Sequence, residues 1–240
     1  MSTINPIRVR FKKDHITFDT GLPDIVTDGL VLYLDAGNNN SYPGFESTWY
    51  DLSGNNNNGT LVNGVGFDIG NGGSLTFDGS NDYISVSNSS SLNPLNNTLI
   101  CWAKSDNSTW NDTGFLMSKR NVFVMHPSGG SKVVNYYYYL NGGWQNQDVT
   151  PSDITIWNMY ACTWDGTSIS AYLNGSLINS GNKTGPLNTS DTGPMEIGHD
   201  EGFGGRYMDG NISQVSIYNR ALTAQEIQQN FEALRGRYGI

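Results

Sequence analysis

At 240 residues the chain is short for two ordinary domains and comfortable for a single all-β domain. Only 15% of residues are charged and 12% are aromatic, with 29 Gly and 29 Asn. This excludes disorder, which needs charge without aromatics, and a helical bundle, which Gly and Asn disfavour. The net charge of -9 excludes a nucleic-acid or anionic-membrane surface, because both require a basic footprint.

The chain opens on an unusual stretch. Arg8, Arg10, Lys12 and Lys13 alternate with Val9 and Phe11, and these four cations belong to a total of only 13 Lys and Arg. The period-2 pattern predicts a short strand. Residues 1–28 are expected to form an N-terminal arm. It is either a docking arm in which Arg8, Arg10, Phe11, Lys12 and Lys13 meet an acidic partner, or a solvated edge strand guarded by charge. The stretch lacks the uninterrupted apolar core of a signal peptide, and no run of 18 apolar residues predicts a membrane span. Gly21-Leu22-Pro23 then leads into the main domain, residues 29–240.

Short strands follow. They are predicted at Leu30–Leu34, Ser74–Phe77, Tyr83–Val86, Thr98–Lys104, Phe115–Ser118, Val122–Met125, Val133–Leu140, Met159–Trp164, Ser168–Leu173, Met195–Ile197 and Ile212–Tyr218. Asn-Gly recurs at 58, 63, 71, 141 and 174, and Asp-Gly at 28, 78, 165 and 209. These dipeptides supply the positive φ angles of tight hairpins. Many short strands at this spacing predict an antiparallel sandwich or barrel. Cys101 and Cys162 are expected as buried free thiols. One helix is predicted at the C-terminus. Thr223-Ala224-Gln225-Glu226 is a capping box, Ile227, Phe231 and Leu234 make an apolar stripe, and Gly236 is the expected stop.

The chemistry-bearing residues are few. His15, His126 and His199 lack the spacing of a zinc site, and there is no G-x-S-x-G elbow or P-loop. No cofactor is required. Asp78-Gly79-Ser80-Asn81-Asp82, with Asp35, Asp200 and Asp209 at strand ends, offers hard oxygen ligands for a structural calcium ion, or else caps its own turns. A sugar needs an exposed aromatic face ringed by polar groups. Along Tyr136–Tyr139 one alternate pair is expected in the core and the other outside. Tyr137, Tyr139 and Trp144, with Trp110 from the polar stretch 107–113 and Asp200, form the expected glycan-binding set; the alternative is that these aromatics pack the sandwich.

The series Gly29-Leu30-Val31-Leu32-Tyr33-Leu34-Asp35, Trp49-Tyr50-Asp51-Leu52-Ser53-Gly54-Asn55, Leu75-Thr76-Phe77-Asp78-Gly79-Ser80-Asn81-Asp82-Tyr83-Ile84, Trp164-Asp165-Gly166, Tyr172-Leu173-Asn174-Gly175 and Asp209–Thr223 resembles the laminin G-like, concanavalin A-like lectin/glucanase superfamily. The resemblance covers about residues 29–235. It implies an all-β fold, a two-sheet antiparallel jelly-roll sandwich with a short C-terminal helix. Where relatives often carry acids, this chain has Ser213 and Gln214. Glu196-Ile197-Gly198-His199-Asp200-Glu201 is similar to the E-I-D-x-x-E run of jelly-roll glucanases, but Gly198 replaces the middle acid. A strand ending at Gly198 and a polar loop are expected there, with no catalytic residue.

The opening pattern Leu34-Asp35-Ala36-Gly37, Ser41-Tyr42-Pro43-Gly44 and Trp49–Asn55 resembles domains of tailed-bacteriophage virion proteins. The resemblance implies a non-enzymatic virion surface protein, a capsid decoration or tail-appendage subunit assembled in the host cytoplasm. Its arm would contact capsid or tail proteins, and its jelly roll would face host-surface or environmental glycans. A symmetric homo-oligomer fits such a role. The alternatives are a soluble or extracellular carbohydrate-binding or adhesion module, and, more distantly, a degenerate glycoside hydrolase.

Overall fold

Alternating apolar and polar residues give strands with one buried face, and this alternation lays out most of the molecule. The structure, a computed structural model, describes residues 8–12, 15–19, 23–111, 114–200, 202 and 204–240. In chain order the strands are β1 (Arg8–Lys12), β2 (His15–Asp19), β3 (Leu30–Asp35), β4 (Thr48–Trp49), β5 (Gly59–Val62), β6 (Gly66–Asp68), β7 (Ser74–Asp78), β8 (Tyr83–Val86) and β9 (Asn97–Ser105). They continue as β10 (Met117–Lys119), β11 (Phe123–Pro127), β12 (Val134–Leu140), β13 (Gly143–Val149), β14 (Asn158–Trp164), β15 (Ser168–Leu173), β16 (Ser176–Asn182), β17 (Met195–Ile197) and β18 (Asp209–Tyr218). One helix, α1 (Ala224–Tyr238), closes the chain. No helix among the described residues is long and apolar enough to cross a membrane.

The strands form two antiparallel sheets, as the jelly-roll expectation requires. The first runs β13-β12-β11-β10-β17-β8-β5-β4, and the second β16-β15-β14-β9-β18-β7-β6. The long β18 pairs with β9 along one side, while β7 and β3 share its other side, so it is the spine of the second sheet. Separately, β1 and β2 form a two-stranded hairpin with Arg8 opposite Asp19 and Lys12 opposite His15. Two other hairpins close on Asn-Gly turns. Asn141 and Gly142 have φ of 50° and 78°, and Asn174 and Gly175 have φ of 50° and 80°. Both central residues at positive φ match the right-handed twist of the flanking strands.

The core lies between the sheets. From the second sheet Leu99, Cys101, Ala103, Tyr160, Cys162 and Trp164 point inward; from the first, Phe123, Met125, Tyr136 and Tyr138 meet them. The second sheet is covered on its other face as well. Ile100, Trp102, Met159 and Ala161 point outward there against Ile227 and Tyr238 of α1. Tyr238 stacks on Trp102 with ring centroids 4.2 Å apart. Burial on both faces explains the near-continuous apolar runs of β9 and β14. Both cysteines are free and buried; burial pushes both thiols up, Cys162 to about 12, so they pack rather than react.

The helix starts where the capping box places it and ends later than expected. Thr223 Oγ1 accepts from the Glu226 N–H, and Glu226 Oε2 accepts from the Thr223 N–H at 2.8 Å. Gly236 does not stop α1, which continues to Tyr238 and is capped by Gly239 at φ 75°. The extra residues are held by tertiary contacts. Arg237 pairs with the buried Asp35, and the Tyr238 hydroxyl donates to Ser213 Oγ at 3.0 Å. Thr223→Ala is expected to cost about 1 kcal/mol in chemical denaturation. Arg220 beside Glu226 lowers that carboxyl to about 2. The group's stabilisation is therefore complete above the ordinary value of 4.5 and is lost as pH falls toward 2.

Candidate functional site

The outer face of the first sheet has no covering helix among the described residues. Along β12, Tyr136 and Tyr138 are fully buried, so Tyr137 and Tyr139 point outward. On β11 the same alternation buries Phe123 and Met125 in the core and turns Val124 and His126 outward. On β13, Trp144 lies opposite Tyr139 and shares its outward face. The β10–β11 turn adds Arg120, the segment before β10 adds Phe115, and the loop between β17 and β18 adds Arg206. Together Phe115, Arg120, Val124, His126, Tyr137, Trp144 and Arg206 line an open cleft of about 210 Å³.

Ring and charge contacts fix these walls. Phe115 and His126 stack with centroids 4.2 Å apart and planes 5° apart. Tyr137 meets Trp144 edge-on at 6.3 Å, and Tyr139 braces Trp144 from 5.1 Å. The Arg120 guanidinium sits 5.5 Å from the Trp144 ring centroid, and that of Arg206 5.4 Å from Phe115. Beneath them Asp200 is wholly buried. Its carboxylate accepts from Ser118 Oγ at 3.0 Å and Arg120 Nη1 at 2.9 Å, and lies 3.8 Å from Arg206 Nη1.

Burial lowers the pKa of His126, and the charge of Arg206 lowers it further against a weaker opposing pull from Asp200. At neutral pH the imidazole is therefore uncharged and offers one donor and one acceptor. The sign for stability follows from linkage. The unfolded chain takes up the proton more readily, so this contribution is complete above 6.5 and is lost as pH drops below that value. His126→Gln is expected to flatten the fall in stability between pH 7 and 5, measured as the difference between urea midpoints of the two proteins.

The cleft brings together Tyr137 and Trp144, with Tyr139 as a brace, and corrects two members of the expected set. Trp110 is not exposed: it is 1% accessible and packs edge-on against Tyr160 in the core at 6.1 Å. Its own backbone pairs with Ser131 and Gly130, which folds the polar stretch back and turns the indole inward. Asp200 does not face a ligand either; it lies below the cleft and holds the arginines. Phe115, Arg120, His126 and Arg206 were missed. Phe115 opens a predicted strand that in the structure starts at Met117, and His126 lies one residue past the predicted end of β11. Arg8, Arg10, Phe11 and Lys12 occupy β1, while Lys13 lies outside the described residues.

The glucanase-like run is rearranged. β17 ends at Ile197 as expected, and Gly198, His199 and Asp200 after it are buried before the loop reaches the surface at Gly202. Glu196 Oε2 lies 2.7 Å from His199 Nδ1, and His199 stacks on Tyr207 at 4.2 Å. Across the ladder Glu196 is flanked by Ser85 and Ser118 rather than by acids. Gly198 has φ 82°, and a Cβ there would come within 2.6 Å of the Phe77 ring. The middle acid of the glucanase run therefore has no room.

The acidic turn also takes its capping form. Asp82 accepts from the Gly64 N–H at 2.7 Å and from the Asp78 N–H at 3.3 Å, and Asp78 accepts from the Ser80 N–H at 2.9 Å. Asp35 is engaged by Arg237, and Asp209 by the Asn107 amide at 2.7 Å. Among the described residues no three His, Cys, Asp or Glu side chains form a group that could hold a metal ion.

A two-sheet antiparallel jelly roll of this topology is a lectin-like fold. The family model described as the Concanavalin A-like lectin/glucanases superfamily, of laminin G type, matches residues 78–228, and the chain belongs to that family. No curated protein matches the sequence. Among solved structures, the chain is similar to domain 4 of AbnA, an extracellular arabinanase from Geobacillus stearothermophilus, in complex with arabinotriose. The TM-score is 0.67 at 18% identity, covering 85% of this chain and 98% of that one. It is also similar to the binding domain of Paraclostridial Mosquitocidal Protein 1, with a TM-score of 0.66 and 20% identity over 85% of this chain and 52% of that one. A third is the binding domain of botulinum neurotoxin DC in complex with SialylT, at TM-score 0.67 and 14% identity over 87% and 52%. The chain thus spans about half the length of these toxin binding domains.

Proposed function

We propose that this protein is a non-enzymatic glycan-binding module and that the cleft on the first sheet is its binding site. The observation that carries this reading is the pairing of Tyr137 and Trp144 with polar Arg120, His126 and Arg206 in one open cleft. A pyranose has one apolar face and a rim of hydroxyls, and this lining offers a partner for each. The similar arabinanase domain was solved with a bound arabinotriose, which supports the same direction. The absence of catalysis is supported by the pairing of Glu196 with His199 and by the crowding at Gly198. A glycan array probed with the full chain tests the reading. Retention of at least one glycan class supports it, a blank array overturns it, and hydrolysis lost in Glu196→Gln overturns the non-enzymatic part.

We further propose that the module is displayed on a virion, with the part of residues 1–28 that precedes the buried Val26 as its attachment arm to a capsid or tail protein. The support is the alternation of Arg8, Arg10 and Lys12 along β1 in an acidic protein. Deleting residues 1–20 is expected to leave glycan binding intact and abolish incorporation into particles. Normal incorporation of the truncated chain overturns the arm.

A further inference from the structure

We propose that the cleft selects a sugar bearing a carboxylate, an inference that rests on the glycan-binding reading above. Two guanidinium groups line the cleft, and no acidic side chain among the described residues does. Arg120 and Arg206 are 23% and 30% exposed, so both reach the ligand space. Each is anchored from below by Asp200, which is itself fully buried and out of reach of a ligand. Anchoring matters because an arginine held in place loses less rotamer freedom when it binds. A guanidinium also presents five N–H donors in a planar fork that matches the two oxygens of a carboxylate.

The rest of the lining selects a ring. Trp144 and Tyr137 supply one pair of rings, and Phe115 stacked on His126 supplies another. The volume of about 210 Å³ lies below the roughly 300–1,000 Å³ of drug-sized pockets, which suits one ring rather than an extended chain. A sugar acid places its ring on the aromatics and its carboxylate on the arginines. A neutral sugar of the same shape offers the guanidinium groups no charge. A charge-assisted contact is about twice as strong as a neutral one, so the acid is favoured.

Matched probes test this: methyl glucuronide against methyl glucoside, methyl galacturonide against methyl galactoside, and N-acetylneuraminic acid. Titration calorimetry on the full chain at low salt is expected to show at least one acid bound ten-fold or more tightly than its neutral match. That preference is expected to fall with added salt and to vanish in Arg206→Gln. Arg206→Lys is expected to retain part of it, which separates lost charge from lost fold, and a thermal melt of each variant checks folding directly. Equal binding of acid and neutral sugar, still lost in Trp144→Ala, overturns the carboxylate preference and leaves the glycan reading standing. Preference for a sulfated sugar over its carboxylated match overturns it too. Failure of every probe to bind, together with a blank array, overturns both.

Discussion

Trp144→Ala is expected to weaken glycan binding by about 2 kcal/mol, roughly thirty-fold in Kd, with little loss of stability. Trp144 stands on β13, the edge strand of the first sheet, and is only half-buried. Its ring carries the Arg120 contact and meets Tyr137 edge-on, so truncation removes the stacking surface and loosens one guanidinium together. Trp144→Phe keeps an apolar face and is expected to recover most of the affinity. Trp110→Ala makes the contrast. That indole is buried against Tyr160, and its removal is expected to cost about 3–5 kcal/mol of stability through the cavity it leaves. Calorimetric titration and thermal melts of the two variants separate the roles. Wild-type affinity in Trp144→Ala removes the cleft as the binding site.

A loss of stability of the same order is expected from Gly210→Ala. Gly210 lies on β18 with φ 144°, opposite Phe77 on one side and Ser105 on the other. A Cβ there would stand 2.3 Å from the Lys104 carbonyl oxygen and 2.9 Å from the Ser105 Cα. Both are backbone atoms of a central strand and cannot swing aside. Strain at this φ and overpacking each cost about 1–3 kcal/mol, so a loss of about 3 kcal/mol or more is expected. For a domain of this size that lowers Tm by about 6–12 °C. Gly204→Ala is the control, because a Cβ there meets nothing within 4 Å. A Gly210→Ala melt within two degrees of wild type contradicts the steric reading.

Most of the sandwich was legible because its strands alternate, and β8, β15 and β17 fall where the pattern puts them. β2, β4, β5, β6, β13 and β16 were not predicted, and the last two share a cause. β13 reads Gly-Trp-Gln-Asn-Gln-Asp-Val and β16 Ser-Leu-Ile-Asn-Ser-Gly-Asn, edge sequences with little apolar periodicity. Pairing with β12 and β15 across their Asn-Gly turns makes them strands, and that is information of the hairpin rather than of the segment. The site was legible in the same measure. Tyr137 and Trp144 lie near one another in sequence on strands whose faces can be counted. Arg120, Phe115 and Arg206 come from turns and loops that only the folded chain brings together. Trp110 misled because polar neighbours suggest exposure, whereas the stretch folds its one indole inward. Gly236 misled because glycine suits a helix end, yet Arg237 and Tyr238 find partners beyond it.

The placement of α1 gives the molecule a front and a back. The chain enters the sandwich at Val26, whose N–H donates to Asn230 Oδ1 at 2.8 Å and whose carbonyl accepts from the Tyr218 hydroxyl at 2.9 Å. It leaves through Ile240, which packs in the same helix-side cluster. Entry and exit are therefore pinned to one side of the sandwich and the cleft opens on the other, with two sheets about 10 Å apart between them. Cargo fused after Ile240 departs rearward and leaves the aromatic mouth clear. The domain can thus be grafted onto a support or a fluorescent reporter through Ile240 without blocking its cleft.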